Sequence, residues 1–283
     1  MIKINDLSFG YKKRKQLFQN LDLEVAPGNI YGLLGKNGAG KTTLLKLISG
    51  LLFPKGGTLN IMDYDPADRL PDYLADIYLI PEEFEVPPIS INTFHKLYAP
   101  FYPKFNSSYF ESYLSEFEID KTWKMNKLSY GQKKKVLLCF GLATNVSLLI
   151  LDEPTNGLDI PSKSLFRKLL ASTITDERTF IISTHQVRDV TNLIDPIIIL
   201  EDGKILFHES LQSVTKKLYF QNYFQENDVG DALYSERVPG GYLAVTENQN
   251  GHDSEVDLEI LFNAIVNNKE KIQQLFKKEV HHA

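Results

Sequence analysis

The sequence predicts an α/β fold in which a parallel core sheet carries helices on its faces, and three observations predict it. Apolar, strand-length runs alternate with helix-length segments over most of the 283 residues, the pattern of connected β-α-β units. The stretch "NIYGLLGKNGAGKTTLLKLISG" passes from a buried strand through a glycine-rich bend into an amphipathic helix. In "LLILDE" an apolar strand ends on Asp152 and Glu153, which a parallel sheet would set at its carboxyl edge, where that bend also opens.

From the N-terminus, "IKINDLSF", "NLDLEVAPG" and "NIYGLLG" read as three strands separated by turn residues. A helix is expected over 41–51, after which "PKGGTLNIMDYD" combines turn chemistry with a short strand, and "ADIYLIPEE" is a buried strand halted by Pro81. Between about 90 and 128 the texture changes. "INTFHKLYAPFY" and "SSYFESYLSEFEI" have helix length and amphipathic spacing, and their Phe and Tyr side chains are expected as core packing, not as a cofactor box. A helix from Tyr130 to Thr144, the strand "SLLILDE", a helix near "SKSLFRKLLAST", the strand "TFIISTH", a helix near "QVRDVTNLI" and the run "IIILEDGKILFHE" follow. The tail from about Ser210 differs. "GGYLAVTENQNGHD" predicts a strand and a polar turn, and "VDLEILFNAIVNNKEKIQQLFKKEV" one or two helices, together a small interaction or dimerisation appendage over 209–283. His281 and His282 are expected to fray in solvent, not to bind metal.

Composition sets outer limits. Hydrophobic residues at 43% and charged residues at 24% are ordinary globular values, so a substantial core is available. A net charge of -5 leaves no electrostatic footprint for nucleic acid. The basic stretch Lys12 to Lys15 is short and is expected as a solvated loop. Cys139, the single cysteine, excludes an internal disulfide and points to a reducing compartment. No signal peptide is read at the N-terminus, and no apolar run reaches the roughly 18 residues that span a bilayer. Any membrane role is therefore expected through a partner.

The bend carries the first chemistry. "GKNGAGKTT", Gly35 to Thr43, fits Gly-x-x-x-x-Gly-Lys-[Ser/Thr] with Gly35, Gly40, Lys41 and Thr42 at the fixed positions and Asn37, Gly38 and Ala39 between them. Glycines let backbone N–H groups approach an anion, and the following helix aims its unpaired N–H groups at the same point. Lys41 adds a mobile charge for β- and γ-phosphates, and the Thr42 hydroxyl can ligate Mg²⁺. Asp152 can hold the same ion through water, because Mg²⁺ keeps part of its hydration shell. Glu153 is then placed to polarise a water in line with the γ-phosphate.

With these motifs in order, the chain resembles the nucleotide-binding subunit of an ATP-binding cassette (ABC) transporter over residues 1 to about 208. "LSYGQ" resembles the family signature, so that Ser129, Gly131 and Gln132 would close over the γ-phosphate bound by the opposite subunit. "STH" ends in His185, which resembles the switch histidine that contacts the γ-phosphate and orients the glutamate and its water. Asp159 of "NGLD" matches the D-loop that crosses the dimer interface, Tyr11 of "LSFGY" the aromatic that stacks on adenine, and "IPEE" the start of the Q-loop. Two positions depart from the pattern: Tyr130 stands where the signature usually has glycine, and Glu82 stands where the Q-loop usually has glutamine. A Glu82 carboxylate can still approach Mg²⁺ or its water while adding negative charge.

The resemblance implies a P-loop NTPase core with an antiparallel β subdomain near the N-terminus and a helical subdomain inserted at about 83–143. It implies ATP and Mg²⁺ as ligands and a head-to-tail homodimer around two MgATP. It implies transmembrane permease subunits on separate chains, which would hold the protein on the inner face of the cell membrane. "PEE" and the added C-terminal segment look more like ABC-2-type exporters than solute importers. A soluble cassette ATPase not coupled to transport, or a regulatory module that binds ATP, stands as the alternative. The first type, acting in repair or on ribosomes, carries a long coiled coil or two cassettes, and neither is visible; Glu153 and His185 argue against the second. A P-loop kinase has no use for "LSYGQ".

Overall fold

The computed structural model describes residues 1–12 and 16–277. Residues 13–15 of the basic stretch, and His281 and His282, therefore lie outside the described residues.

The chain opens with β1 (Ile2–Phe9) and β2 (Phe18–Val25), then β3 (Ile30–Leu34), which runs through the glycine bend into α1 (Lys41–Ile48). After β4 (Gly56–Ile61) and the short α2 (Pro71–Ala75) comes β5 (Ile77–Ile80). Three helices follow, α3 (Ile91–Tyr98), α4 (Ser107–Glu116) and α5 (Tyr130–Ala143), before β6 (Leu148–Asp152), α6 (Ile160–Thr173), β7 (Thr179–Thr184), β8 (Ile197–Glu201) and β9 (Lys204–Glu209). The tail forms α7 (Leu211–Lys217), β10 (Leu218–Tyr223), β11 (Tyr234–Val238), β12 (Gly241–Glu247), α8 (Leu258–Asn267) and α9 (Lys269–Lys277).

The central sheet has the order β5-β6-β7-β3-β8-β9, parallel except for the antiparallel β8–β9 edge. Every residue of β3, β6 and β7 is buried, as in strands covered on both faces, which is why "IYGLL" and "LLIL" show no polar alternation, while β7 buries Thr179, Ser183 and Thr184 beside its apolar centre. A second, antiparallel sheet of order β2-β1-β4 covers α1 from outside. Ile2, Ile4 and Leu7 of that sheet join Leu44 and Leu47 of α1, and Tyr31, Leu148 and Ile150 of the central sheet, in one core. The strand that feeds the glycine bend is thereby held on both faces.

The opposite face of the central sheet carries the larger core, into which α5 is packed so completely that its apolar residues show no single stripe. Phe140 is its centre. Phe94, Phe105, Phe110, Tyr78 and Tyr102 surround that ring at 4.8 to 6.0 Å between centroids, so much of the aromatic density is core packing. Phe101, Tyr98 and Tyr109 depart from the expectation and stand exposed on the helical segments.

Two further differences from the sequence reading have local causes. "QVRDVTNLI" forms a 3₁₀ turn, Val187–Asp189, and further turns instead of a helix. Its β-branched Val187, Val190 and Thr191 disfavour helix, and Asp195-Pro196 leaves no room to propagate one. In the tail, β12 pairs with both β10 and β11 in a three-stranded antiparallel sheet, where a single strand was expected. Strand β10 carries Leu218 and Phe220 inward, with α8 supplying Leu258, Leu261 and Ile265 to the larger core. Arg188 reaches Glu259 of α8 at 2.7 Å and so ties this tail to the turn just beyond His185.

Candidate active site

The glycine bend wraps the N-terminus of α1. Gly40 caps the helix at φ 110, and Gly38 lies at φ 85 with no atom within 4 Å of where a Cβ would stand. Both conformations suit glycine, and the open space beside Gly38 is a cradle that a side chain would fill. Lys41 is 7% exposed, and its ammonium donates to the Gly35 carbonyl at 2.7 Å and the Lys36 carbonyl at 3.3 Å. Burial pushes its pKa down, opposed by the charges of Glu153, Asp152, Glu82 and Glu201.

Asp152 closes β6 at the sheet's carboxyl edge, 1% exposed. One carboxylate oxygen accepts from the Thr42 hydroxyl at 2.7 Å, and the other from the Ser183 hydroxyl. Glu153, 3% exposed, holds a left-handed backbone at φ 46, uncommon for any residue with a Cβ, and its N–H bonds to the Ser183 carbonyl at 3.0 Å. Both of its carboxylate oxygens are hydrogen-bonded, with one acceptor position of Oε2 left over. Oε1 accepts from the His185 backbone N–H at 3.0 Å and lies 2.7 Å from His185 Nδ1, while Oε2 accepts from Thr184 at 3.1 Å. Against an ionised carboxylate Nδ1 carries the proton, so Nε2 is the ring nitrogen left for a ligand.

These groups border one cavity of about 550 Å³. Asn37, Gly38, Gly40, Lys41, Thr42 and Thr43 form its floor; Glu82, Asp152, Glu153 and His185 form one wall. Tyr11 also lines it, edge-on to Phe9 at 5.2 Å, with its hydroxyl 3.1 Å from Thr43 Oγ1. Gly35 and Ala39 support the bend from behind without lining the cavity.

Ser129, Gly131, Gln132 and Asp159 do not border this cavity. Ser129 and Gln132 form a reciprocal cap on α5, with the Gln132 N–H donating to Ser129 Oγ at 3.2 Å and the Ser129 N–H to Gln132 Oε1 at 2.9 Å. Gly131 packs so close to the Gly157 carbonyl that a Cβ would stand 2.5 Å from it. Asp159 caps α6 by accepting from Ser162 at 2.8 Å and pairs with Lys135 at 3.5 Å.

Four residues that the sequence did not single out take part. Leu17 and Lys36 line the cavity, and Glu201 pairs with Lys36 at 3.4 Å. Only Lys36 carried a signal, by lying inside the loop motif. Lys134 is fully buried, 3.4 Å from the carbonyl oxygens of both Pro81 and Asp152, and burial lowers its pKa to about 8. Nothing in "QKKKV" separates it from the flanking lysines.

The donor set fits Mg²⁺. Thr42, Asp152 and Glu82 offer hard oxygen ligands, the type this ion prefers, and phosphate oxygens and water complete such sites. Among the described residues no ion pair neutralises Asp152, whose buried oxygens meet only hydroxyl groups. A buried carboxylate in that state favours a cation.

Comparison with known proteins points to one family. Residues 18–156 match the ABC transporter family. The ABC transporter ATP-binding protein YtrB of Bacillus subtilis is 28% identical over 249 residues, covering 84% of this chain and 82% of that protein. A fluoroquinolones export ATP-binding protein of Mycobacterium tuberculosis is 29% identical, covering 74% and 71%. Among solved structures, the ATP-binding subunit of an ABC transporter superposes with a TM-score of 0.67 at 26% identity, over 76% of this chain and 91% of that one. The dimeric post-hydrolysis state of an ATP-binding cassette with ADP and Pi gives 0.65 at 25% identity, over 75% and 99%.

Proposed function

This chain carries an ABC transporter ATP-binding domain, and we propose that it is the ATP-hydrolysing subunit of an exporter, dimerising around two MgATP to drive separate membrane-spanning chains. The observation that carries the reading is the meeting, in one cavity, of Lys41 and Thr42 from the bend with Asp152, Glu153 and His185 from two strand ends.

Backbone N–H groups of residues 37 to 43 and the Lys41 ammonium bind the phosphates, with Lys41 exchanging its carbonyl partners for phosphate oxygens. Thr42, Asp152 and Glu82 would hold Mg²⁺, which when bound would supply positive charge against the phosphates. Glu153 takes a proton from the attacking water, and His185 holds the carboxylate in orientation through Nδ1.

One chain provides only half of the enclosure. Ser129, Gly131 and Gln132 lie at the start of α5, outside their own cavity, and serve the nucleotide of a second, head-to-tail copy. Asp159 lies at the same interface. Among the described residues no helix is long and apolar enough to cross a membrane. In this reading the permease chains hold the protein at the inner face of the membrane. The exporter reading draws on relatives named for Nod factor and fluoroquinolone export.

The test is phosphate release by the purified chain as its concentration is raised at saturating MgATP. Turnover per chain should climb and then level as dimers form. A per-chain rate that is constant while light scattering reports only monomer would overturn the sandwich.

Tyr11 gives a second check on the same site. Replacing it with alanine should weaken ATP by about 1 to 3 kcal/mol, the range for stacking on a base. Inorganic triphosphate should bind Tyr11→Ala and wild type alike. An equal loss for both ligands, measured by calorimetry, would place the defect in the bend and remove the stacking role.

A further inference from the structure

Tyr130 occupies the position where the signature it resembles has glycine, and its side chain, though 43% exposed, makes its contacts within its own chain. Its hydroxyl donates to the Glu82 carbonyl at 2.7 Å. Its ring stacks on Phe84, with centroids 5.2 Å apart and planes at 20°. One helical turn further along α5, the Lys134 ammonium sits over the other part of the same segment, 3.4 Å from the Pro81 carbonyl and 5.5 Å from the Phe84 ring centroid. The spacing of four residues puts both side chains on one face of α5. Segment 81–84 is therefore gripped from a single helix at two carbonyls and one ring.

One edge of the Tyr130 ring lies against Gly157, where a Cβ would stand 2.6 Å from the ring. Beside it, Asn156 Nδ2 donates to the Glu82 carboxylate at 3.0 Å. One phenol thus touches both the segment that bears Glu82 and the turn whose amide orients the Glu82 side chain. A glycine at 130 would have neither ring nor hydroxyl and could make none of these contacts.

We infer that Tyr130 is a positioning residue, a clamp that holds Glu82 against the cavity of its own chain while the adjoining Ser129 and Gly131 face the nucleotide of the partner copy. The clamp links the two nucleotide sites mechanically: displacing the start of α5 displaces Glu82. Burial and the nearby Glu82 and Glu83 push the phenol's pKa up, which keeps it a donor. The inference rests on the functional reading above, since Glu82 matters to hydrolysis only if the cavity takes MgATP.

The experiment uses the full chain and two variants. Tyr130→Phe removes the hydroxyl and keeps the stack; Phe84→Leu removes the stack and leaves α5 untouched. Without nucleotide, a glutamate-specific protease reports opening of the segment through cleavage after Glu83 and Glu85, because cleavage follows the population of the open form. Each variant should be cut about five-fold faster than wild type, as expected for one lost contact. In phosphate release, kcat should fall by about five-fold in each while KM for ATP stays within about two-fold, the signature of a group that acts in the transition state without binding nucleotide. Unchanged cleavage in an active Tyr130→Phe protein would overturn the clamp. Faster cleavage with unchanged kcat, or a raised KM with unchanged kcat, would overturn the positioning role. An inactive wild type would overturn the functional reading and the positioning role with it, while the cleavage rates would still report whether the clamp exists.

Discussion

Glu153→Gln should abolish turnover, by about 10² to 10⁴-fold, while leaving ATP binding intact. The geometry makes this substitution unusually clean. The amide oxygen can still accept from the His185 backbone N–H and from Nδ1, the contacts now made by Oε1 at 3.0 and 2.7 Å. The amide nitrogen then faces Thr184, whose hydroxyl can rotate from donor to acceptor. Shape and hydrogen bonds survive, and the base is gone. ATP can therefore still draw two copies together without being cleaved, so the variant should accumulate as an ATP-bound dimer. Wild type should fall back to monomer or an open dimer as ATP is consumed. Ser129→Arg should never form the closed dimer, because it sets bulk and charge against the partner's nucleotide and also removes the cap of α5. Size-exclusion chromatography with light scattering, with and without MgATP, beside a phosphate-release assay, decides the matter. Hydrolysis by Glu153→Gln at the wild-type rate would take the base role away from this residue.

Lys41→Ala should weaken MgATP binding by about 100-fold or more. Hydrogen bonds to charged groups contribute about 1.5 to 3 kcal/mol, and roughly 3 kcal/mol is two powers of ten in affinity. In the nucleotide-free chain the ammonium is held by the Gly35 and Lys36 carbonyls, inside the bend and at the root of α1. Burial disfavours its charge there, while Glu153 and Asp152 favour it. A bound phosphate would favour the charged form further, so the lysine is poised to gain more from nucleotide than a solvated one would. Calorimetric titration of the variant measures the loss, and a thermal melt separates it from unfolding. Near-normal affinity would show that the bend's backbone N–H groups suffice and that Lys41 serves only to hold the loop.

Much of the fold was legible because its signals are local. A continuous apolar run such as "LLIL" suits a strand covered on both faces, and a glycine bend between such a strand and a leucine-rich helix leaves unpaired N–H groups aimed at one point. Where the sequence reading went astray, local preference and context disagreed. "QVRDVTNLI" has apolar residues at helical spacing, but its β-branched residues and the following Pro196 stop it at one turn. Strand β10 escaped notice because "LYFQNY" carries neither a continuous apolar run nor a full alternation, and it is held by pairing with β12, whose partner residues lie 19 to 29 positions along the chain.

The candidate site divides in the same way. The sequence by itself determined the phosphate bend, the helix behind it and the carboxylates at a strand's end, since each depends on residues adjacent in the chain. It also placed Tyr11, Glu82, Ser129 and His185 as candidates through family resemblance. Only the tertiary structure decided which of these meet: Thr42 bonds Asp152 across 110 residues and Asn156 bonds Glu82 across 74. It also decided that Lys134, alone among three consecutive lysines, is buried beneath the Pro81 and Asp152 carbonyls. The phenol of Tyr130, a departure from the signature's usual glycine, rests in the fold against the Glu82 carbonyl and the Phe84 ring. Such contacts join three segments whose relative positions are set by the packing of α5 against the sheet, and no pattern within any one segment encodes the distance between them.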